Sequence, residues 1–457
     1  MKISIIGLGV TGFGLLKYLI NKNEDEIFVS DSAESLSEDK IAFLKKHGVN
    51  YELGGNTEEI LNHCNIVLIG PGVNLQNPIL SIARMKNVKI MNDIEFMFRE
   101  FKDEFKRHVK LVGVTGTNGK TTTTTLIGEV LKNAGYKTFV GGNIGNAFSN
   151  LSSVINNVDV IVLELSSFQL ELVDEFHADI GIILNITPDH IDRHGTMKDY
   201  VTSKSKLFGK DENVGTAILN FNNKWTRNLG ITMHRKVRWF SKMGVQENGA
   251  FIRNNRIFIA NSGIEKEVLP ISMMKLKGMH NVENVMAAAL VTDELSIDME
   301  IFRNVVNNFS ALPHRMEEIE KFDDVLFIDD SKATNTDATL CSFKTYPEGK
   351  IVLILGGRAK GEDYSLLLKE ASKYCKYVIL MGETKKKFAE YLDRIGMNNF
   401  KIVNSMKDAV RSGFTLADRG DVVLLSPATA SYDMFKNYKE RGDAFKEEVY
   451  SLKKNHG

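Results

Sequence analysis

The chain has 457 residues, too many for one hydrophobic core and enough for about three domains of ordinary size. Its 58 Lys and Arg balance its 58 Asp and Glu, so no net basic field draws it to nucleic acid or to an anionic membrane, and 43% apolar with 25% charged residues is the make-up of a globular protein. Three dispersed cysteines, Cys64, Cys341 and Cys375, suit neither a disulfide framework nor a metal cage, and no run approaches the ~18 apolar residues of a membrane span, so the expected setting is the cytoplasm.

The first hundred residues alternate β-rich runs with amphipathic stretches. Strands are predicted at 2–6, 27–30 and 66–69, with a helix from the Gly7-Leu8-Gly9-Val10-Thr11-Gly12 turn to about Lys22. GxGxxG between a strand and a helix lets the backbone approach a pyrophosphate, and Asp31, 19 residues after Gly12, stands where a carboxylate would take a ribose hydroxyl. The same glycines would also serve simple strand–helix packing. The charged, phenylalanine-rich run from Glu95 to His108 reads as a helix leading into a connector.

A second α/β unit has strands predicted at 110–114, 158–165, 180–186 and 216–220. Polar alternation through 236–240 and 251–259 predicts a small antiparallel accessory sheet, followed by helices at 279–293 and 299–308. The break at Leu312-Pro313-His314-Arg315 opens a third unit, with strands at 325–328, 351–355, 377–381 and 422–425. Strands that alternate with helices make parallel sheets. The expected architecture is three consecutive α/β domains at 1–100, 101–312 and 313–457, the first and last Rossmann-like and the middle one carrying a glycine-rich loop at 113–122, which would make it a phosphate-loop ATPase.

The strongest chemical signal is Gly113-Val114-Thr115-Gly116-Thr117-Asn118-Gly119-Lys120-Thr121-Thr122, behind a β-run and entering a helix. Backbone N–H groups and a helix N-terminus face an anion there, Lys120 adds a point charge, and the Thr121 hydroxyl suits Mg²⁺. A standard loop has glycine six places before the lysine, where this chain has Val114. Glu164 ends an apolar strand and is placed to hold Mg²⁺, or merely to open a helix. His190, in Thr187-Pro188-Asp189-His190, is either a metal or phosphate ligand or a solvated loop histidine. Lys198, Lys204 and Lys206 read from composition alone as surface lysines. Arg315 is a candidate γ-phosphoryl clamp. Asp329-Asp330-Ser331-Lys332-Ala333-Thr334-Asn335, Gly356-Gly357-Arg358-Ala359-Lys360 and the 426–433 loop follow three strands of the last unit and would form a ligand crevice.

Together these motifs, with GMHNVENV at 278–285 and the run from Ser426 through Gly442, resemble the Mur ligases over the whole chain. Those are ATP-dependent amide-forming enzymes of peptidoglycan precursor synthesis, and DSKATN with Ser-Phe-Gln-Leu-Glu points to their D-glutamate-adding subclass. The resemblance implies a ligase that joins D-glutamate to UDP-N-acetylmuramoyl-L-alanine through an acyl phosphate, as a monomer with neither nucleic acid nor membrane as partner. It implies that Gly116 to Thr122 cradle ATP, with Lys120 on the β- and γ-phosphates, Thr121 and Glu164 on one Mg²⁺ and His190 on a second. Lys204 matches the family's carbamylated lysine, whose carbamate supports that metal. Such a carbamate forms from a neutral amine, which burial and nearby cations favour. Asn284, Arg315 and Asp330 would reach the adenine nucleotide. Val10, Thr11, Asp31 and Gly72 would face the uridine diphosphate, and Asn143 the muramoyl group. Lys332, Thr334, Lys360, Ser431 and Tyr438 would bind D-glutamate. Arg358 departs from the pattern, which has a smaller or acidic residue there. Closure of the last domain is expected to bring amine and acyl phosphate together.

Three other readings compete with this one. A nicotinamide-dependent oxidoreductase would explain GLGVTG and Asp31 but not Lys120. A nucleotide-gated binding module would leave Lys204 and DSKATN incidental. Another Mur-type or folate-polyglutamylating ligase is the nearest competitor, although the folate enzymes lack this first domain.

Overall fold

The computed structural model describes residues 2–23, 26–62, 64–107, 109–211 and 214–456, so Met1 and His108 lie outside the described residues. Within these bounds the strands form three sheets. The first contains β1 (Lys2–Ile6), β2 (Glu26–Asp31), β3 (Asn50–Leu53), β4 (Ile66–Ile69) and β5 (Lys89–Asn92). All its pairs are parallel, in the order β3-β2-β1-β4-β5. Winding reverses between β1 and β4, which opens a crevice beyond their C-terminal ends. The glycine turn lies there. On the helix Val10–Asn21, a Cβ at Gly12 would overlap the Gly7 carbonyl oxygen, so this glycine is demanded by the seating of helix on strand.

The second sheet contains β6 (Lys110–Thr115), β7 (Thr138–Gly142), β8 (Val160–Glu164), β9 (Ile180–Ile183), β10 (Thr216–Asn220), β11 (Lys236–Ser241), β12 (Gly249–Arg253), β13 (Arg256–Asn261) and β14 (Ile264–Pro270). Their order is β14-β13-β12-β11-β10-β9-β6-β8-β7. Val160, Ile161, Val162 and Leu163 are all buried, as expected of a strand covered on both faces. The expected accessory sheet is corrected here. β11 pairs parallel with β10 and β12, so it extends the main sheet, and the run 251–259 is two antiparallel strands rather than one. Asn254 and Asn255 make the turn between them at φ +50° and +57°, values that asparagine tolerates better than other side chains.

The third sheet contains β15 (Glu317–Phe322), β16 (Val325–Asp329), β17 (Ile351–Leu355), β18 (Cys375–Leu380), β19 (Phe400–Ile402) and β20 (Val422–Leu425). Its order is β15-β16-β20-β17-β18-β19, with β15 antiparallel to β16 and the other pairs parallel. The three polar loops singled out in the sequence follow β16, β20 and β17, which are neighbours. They therefore share one rim of the sheet.

The chain divides into two compact units: Met1–Ile186, Thr196–Leu269 and Val285–Val305 form the first, and Thr187–Gly195, Pro270–Asn284 and Val306–Gly457 the second. The first and second sheets share the first unit. Glu95, on the helix Asp93–Glu100, joins them: its buried carboxylate accepts the backbone N–H groups of Asp174 (2.8 Å), Glu175 and Phe176 (3.1 Å). Arg99 bonds the same carboxylate at 2.5 Å, and Phe98 packs edge-on against Phe176. No helix among the described residues is long and apolar enough to cross a membrane.

Candidate functional site

In the first unit the site grows from the C-terminal ends of β6, β8 and β9, at the middle of the second sheet. β6 runs into the loop 115–119, and Gly119, at φ +85°, caps the helix Lys120–Asn133. Asn185, just beyond β9, shapes this loop. Its carbonyl accepts the Thr117 N–H at 2.9 Å and its side-chain oxygen the Asn118 N–H at 2.8 Å, while its amide donates to the Asn118 carbonyl at 3.1 Å. The Thr117 hydroxyl meets the Tyr200 hydroxyl at 3.1 Å. The sequence reading used neither Asn185 nor Tyr200, although Asn185 stands two residues before the Thr187-Pro188-Asp189-His190 segment.

Lys120 Nζ donates to the carbonyls of Gly116 (2.9 Å) and Thr117 (2.7 Å). Lys204 Nζ donates to the same Gly116 carbonyl at 2.9 Å, lies 3.4 Å from Thr115 Oγ1 and sits over the Tyr200 ring at 4.6 Å. Two ammonium groups thus converge on one carbonyl of the phosphate loop. The surface reading of Lys204 from composition is corrected: its residue is 1% exposed, because the helix Met197–Ser205 turns it toward the sheet. Lys198 is exposed, and Lys206 is half-buried with its Nζ on the Glu171 carbonyl. Thr121 and Thr122 follow Lys120 in the helix's first turn.

Glu164 ends β8 and is 2% exposed. Its Oε1 accepts the Asn143 amide at 2.8 Å, and its Oε2 is buried with no hydrogen-bond partner among the described residues. A bare buried carboxylate oxygen is costly unless a cation meets it. The oxygen donors here, Glu164 and the Thr121 hydroxyl, are those a hard divalent ion takes.

The crevice of the first sheet is a cleft of about 440 Å³ lined by Val10, Thr11 and Gly72, with Ser32, Asn56 and Asn77 among its polar walls. The last three were missed, since serine and asparagine in turn segments look like ordinary loop residues. Asp31 points back onto the turn: Oδ2 accepts the Leu8 N–H at 2.6 Å and Oδ1 the Ala33 N–H at 2.9 Å.

The second unit carries the remaining candidates. His190, at φ +56°, caps the short helix Ile191–His194, and its Nε2 lies 3.6 Å from Asp189 Oδ2. Asp189 also meets Lys360 Nζ at 3.6 Å and the Asn335 amide at 3.3 Å, so the His190 loop is tied to two of the rim loops. Asn284 is 3% exposed and donates to Asn281 Oδ1 at 3.1 Å. Arg315 lies between two residues of positive φ, His314 and Met316. Asp330 is buried beneath it. Burial pushes its carboxyl up to about 7, against the pull of the Ser342 and Ser426 hydroxyls, the Met316 N–H and the Arg315 charge.

On the rim, Lys332 Nζ stands 3.9 Å over the Tyr438 ring. Thr334 lies two residues on, ahead of Asn335, which caps the helix Thr336–Phe343. Ser431 is buried on the neighbouring loop. Arg358, the unexpected arginine, turns its side chain outward at 59% exposure. Its backbone pairs with Ala430 in both directions (2.9 and 3.1 Å), so the substitution leaves this bridge between loops intact. Arg441 was not anticipated. It is 1% exposed, and its guanidinium donates to Ser331 Oγ (3.0 Å), Ser331 O (2.9 Å), Thr429 O (3.1 Å) and Ala430 O (3.3 Å), clamping the loops after β16 and β20.

Comparison with known proteins gives three consecutive family matches: a MurD N-terminal domain over residues 2–79, a Mur ligase middle domain over 114–292 and a Mur ligase, glutamate ligase domain over 314–429. The chain is 37% identical to the UDP-N-acetylmuramoylalanine–D-glutamate ligase of Caldicellulosiruptor bescii, covering 98% of this chain and 97% of that one. It is 35% identical to the ligase of the same name from Clostridioides difficile, covering 99% of each. Among solved structures it resembles the UDP-N-acetylmuramate–alanine ligase MurC of Thermotoga maritima (TM-score 0.61, 20% identity, 99% and 100% of the two chains). It also resembles MurF ligase of the same organism in complex with ADP (TM-score 0.59, 17% identity, 93% and 95%). At such identities these structures speak for the fold alone. The chain belongs to the Mur ligase family of ATP-dependent amide ligases, and its full-length relatives are UDP-N-acetylmuramoylalanine–D-glutamate ligases.

Proposed function

We propose that this protein adds D-glutamate to UDP-N-acetylmuramoyl-L-alanine at the expense of ATP. The observation that carries this reading is the loop 115–120 beside Glu164: a phosphate cradle with two lysines on one carbonyl and a buried carboxylate oxygen left for a cation. The full-length relatives supply the substrate class.

In this reading Gly116, Thr117, Asn118, Gly119, Thr121 and Thr122 hold the nucleotide's phosphates through backbone N–H groups and hydroxyls, and Lys120 neutralises the β- and γ-phosphates. Thr121 and Glu164 would hold one Mg²⁺; His190 and a carbamate on Lys204 are the ligands that the family resemblance implies for a second. Bound there, the ions supply charge neutralisation for the transferring phosphoryl group. The Lys204 amine is buried beside Lys120 on one carbonyl, and the carbamate would form as carbon dioxide condenses on its neutral form. Asn284 and Arg315 engage the nucleotide, with Asp330 on its ribose side. Val10, Thr11, Asp31 and Gly72 take the uridine diphosphate, and Asn143 the muramoyl group. Lys332, Thr334, Lys360, Ser431 and Tyr438 orient D-glutamate.

The terminal carboxylate of the UDP-linked acid attacks the γ-phosphorus and ADP leaves. The D-glutamate amine then attacks the resulting acyl phosphate, and the tetrahedral intermediate expels phosphate to leave the amide. The side chains contribute position and electrostatics, and His190 serves better as a ligand than as a base. The test is phosphate release from ATP with UDP-N-acetylmuramoyl-L-alanine and each of several amino acids. Release should require D-glutamate; release without it, or with another amino acid in its place, overturns the assignment.

A further inference from the structure

Arg315 and Lys332 serve different ligands in the proposed function, yet in the second unit both hang from one residue, His314. Its carbonyl accepts the Lys332 N–H at 3.1 Å, which fixes the start of the amino-acid loop. Its own N–H donates to Glu317 Oε2 at 2.8 Å, and its Nδ1 meets Asp329 Oδ2 at 2.7 Å. Arg315 follows directly, its N–H bonded to the Leu312 carbonyl at 3.1 Å, and the Met316 N–H is bonded to Asp330 Oδ1 at 3.2 Å. The bend is strained. His314 holds φ +63° and Met316 φ +49°, conformations that persist only where the surroundings over-determine them.

The surroundings do so here. Asp329 is fully buried, His314 is 6% exposed, and the helix Tyr438–His456 presses Gly442 against the pair so closely that a Cβ there would overlap both His314 Nδ1 and Asp329 Oδ2. His314, Glu317 and Asp329 offer ligand atoms within 4.8 Å of one another, but Lys446 already brings a positive charge, 2.8 Å from Glu317 and 4.0 Å from Asp329. The cluster is an ion-pair knot rather than a metal site. Such a knot gives rigidity.

We propose that His314 is a positioning residue that couples the nucleotide arginine to the amino-acid lysine: its imidazole, held by Asp329, fixes one strained bend from which Arg315 and the Lys332 loop are both presented. The proposal rests on the ligand roles given above. His314 touches neither ligand in this account and acts through its neighbours.

Two substitutions separate the ring from the bend. His314→Gly accepts the positive φ without cost but loses the bond to Asp329. His314→Asn also tolerates that φ and returns an amide N–H near the Nδ1 position. Hydrogen exchange read by mass spectrometry on each full-length variant should show segments 312–317 and 329–335 exchanging faster together in His314→Gly. Both should stay close to wild type in His314→Asn. In the phosphate-release assay, His314→Gly should raise KM for ATP and for D-glutamate by about tenfold each, and His314→Asn should restore both to within about threefold. Faster exchange in one segment alone, or an Asn variant as impaired as the Gly variant, overturns the coupling. If both segments loosen together but wild-type release proves independent of D-glutamate, the coupling stands and the assignment of the Lys332 ligand falls.

Discussion

Lys204 shows what one residue contributes and what its own type conceals. A lysine near the end of a polar helix is ordinarily solvated, yet this one is buried on the floor of the phosphate loop, and only its resemblance to a family position marked it in the sequence. Lys204→Ala is expected to lose most phosphate release, at least 100-fold on the scale of a lost electrostatic group at a reaction centre. Acetate or formate should restore part of it by supplying the missing carboxylate oxygens; full activity without either would contradict the role. Asp93 allows a second test. Burial pushes its carboxyl from 3.8 up to about 7. Between these values the folded chain keeps a proton that the unfolded chain has lost, so the stabilisation is present below about pH 4 and disappears as pH rises to about 7. Each unit of this window is worth on the order of 1.4 kcal/mol for such a group. In the transition of the first unit, urea unfolding of Asp93→Asn should therefore show a flatter decline between pH 4.5 and 7 than wild type, while Asp330, pushed up to about 7, gives the second unit a slope of its own.

At the scale of elements, runs of β-branched and aliphatic residues between glycine turns were readable: β4, β10, β17 and β20 fall where the pattern puts them. Short polar strands were not. β3 (Asn50–Leu53) and β19 (Phe400–Ile402) have no fully buried residue, so they lack the apolar signal that periodicity reads. The strand, loop and helix at 110–133 were legible because glycine, lysine and threonine stand there at fixed spacing behind an apolar run. Arg441 and Asn185 were not, because buried guanidinium and amide groups that brace loops through backbone carbonyls and N–H groups need no local motif. Glu95 belongs with these. Its helix was expected, but its bonds to residues about 80 positions away were not. Glu95→Ala strands the N–H groups of Asp174, Glu175 and Phe176, and should cost about 2–4 kcal/mol of stability in denaturant unfolding. Glu95→Gln, which keeps an acceptor, should cost less.

At the scale of the molecule, three sheets are gathered into two compact units. Each has its own core, so all-or-none unfolding is not expected. Calorimetry should resolve two transitions, or a calorimetric enthalpy above the van't Hoff value. UDP-N-acetylmuramoyl-L-alanine, whose proposed nucleotide cleft lies in the first unit, should raise mainly one transition, because a ligand stabilises what it binds. Equal shifts of both would count against that placement. The three-domain order was visible from strand and helix alternation, whereas the joining of the first two sheets was not. That joining depends on Glu95, Arg99 and Phe98, which in sequence look like an amphipathic helix and nothing more.

The weld at Glu95 turns the first unit into a length gauge. In the proposed function the uridine sits in the cleft beyond β1 and β4, which belongs to the same body as the phosphate loop beyond β6, so the span between them would be set by the protein and not by the substrate. A nucleotide-linked acid of the right reach delivers its carboxylate to the loop. On that placement, one longer by a single amino acid, bound by the same uridine, would overshoot the loop, and the extended product would be rejected without the added residue being read.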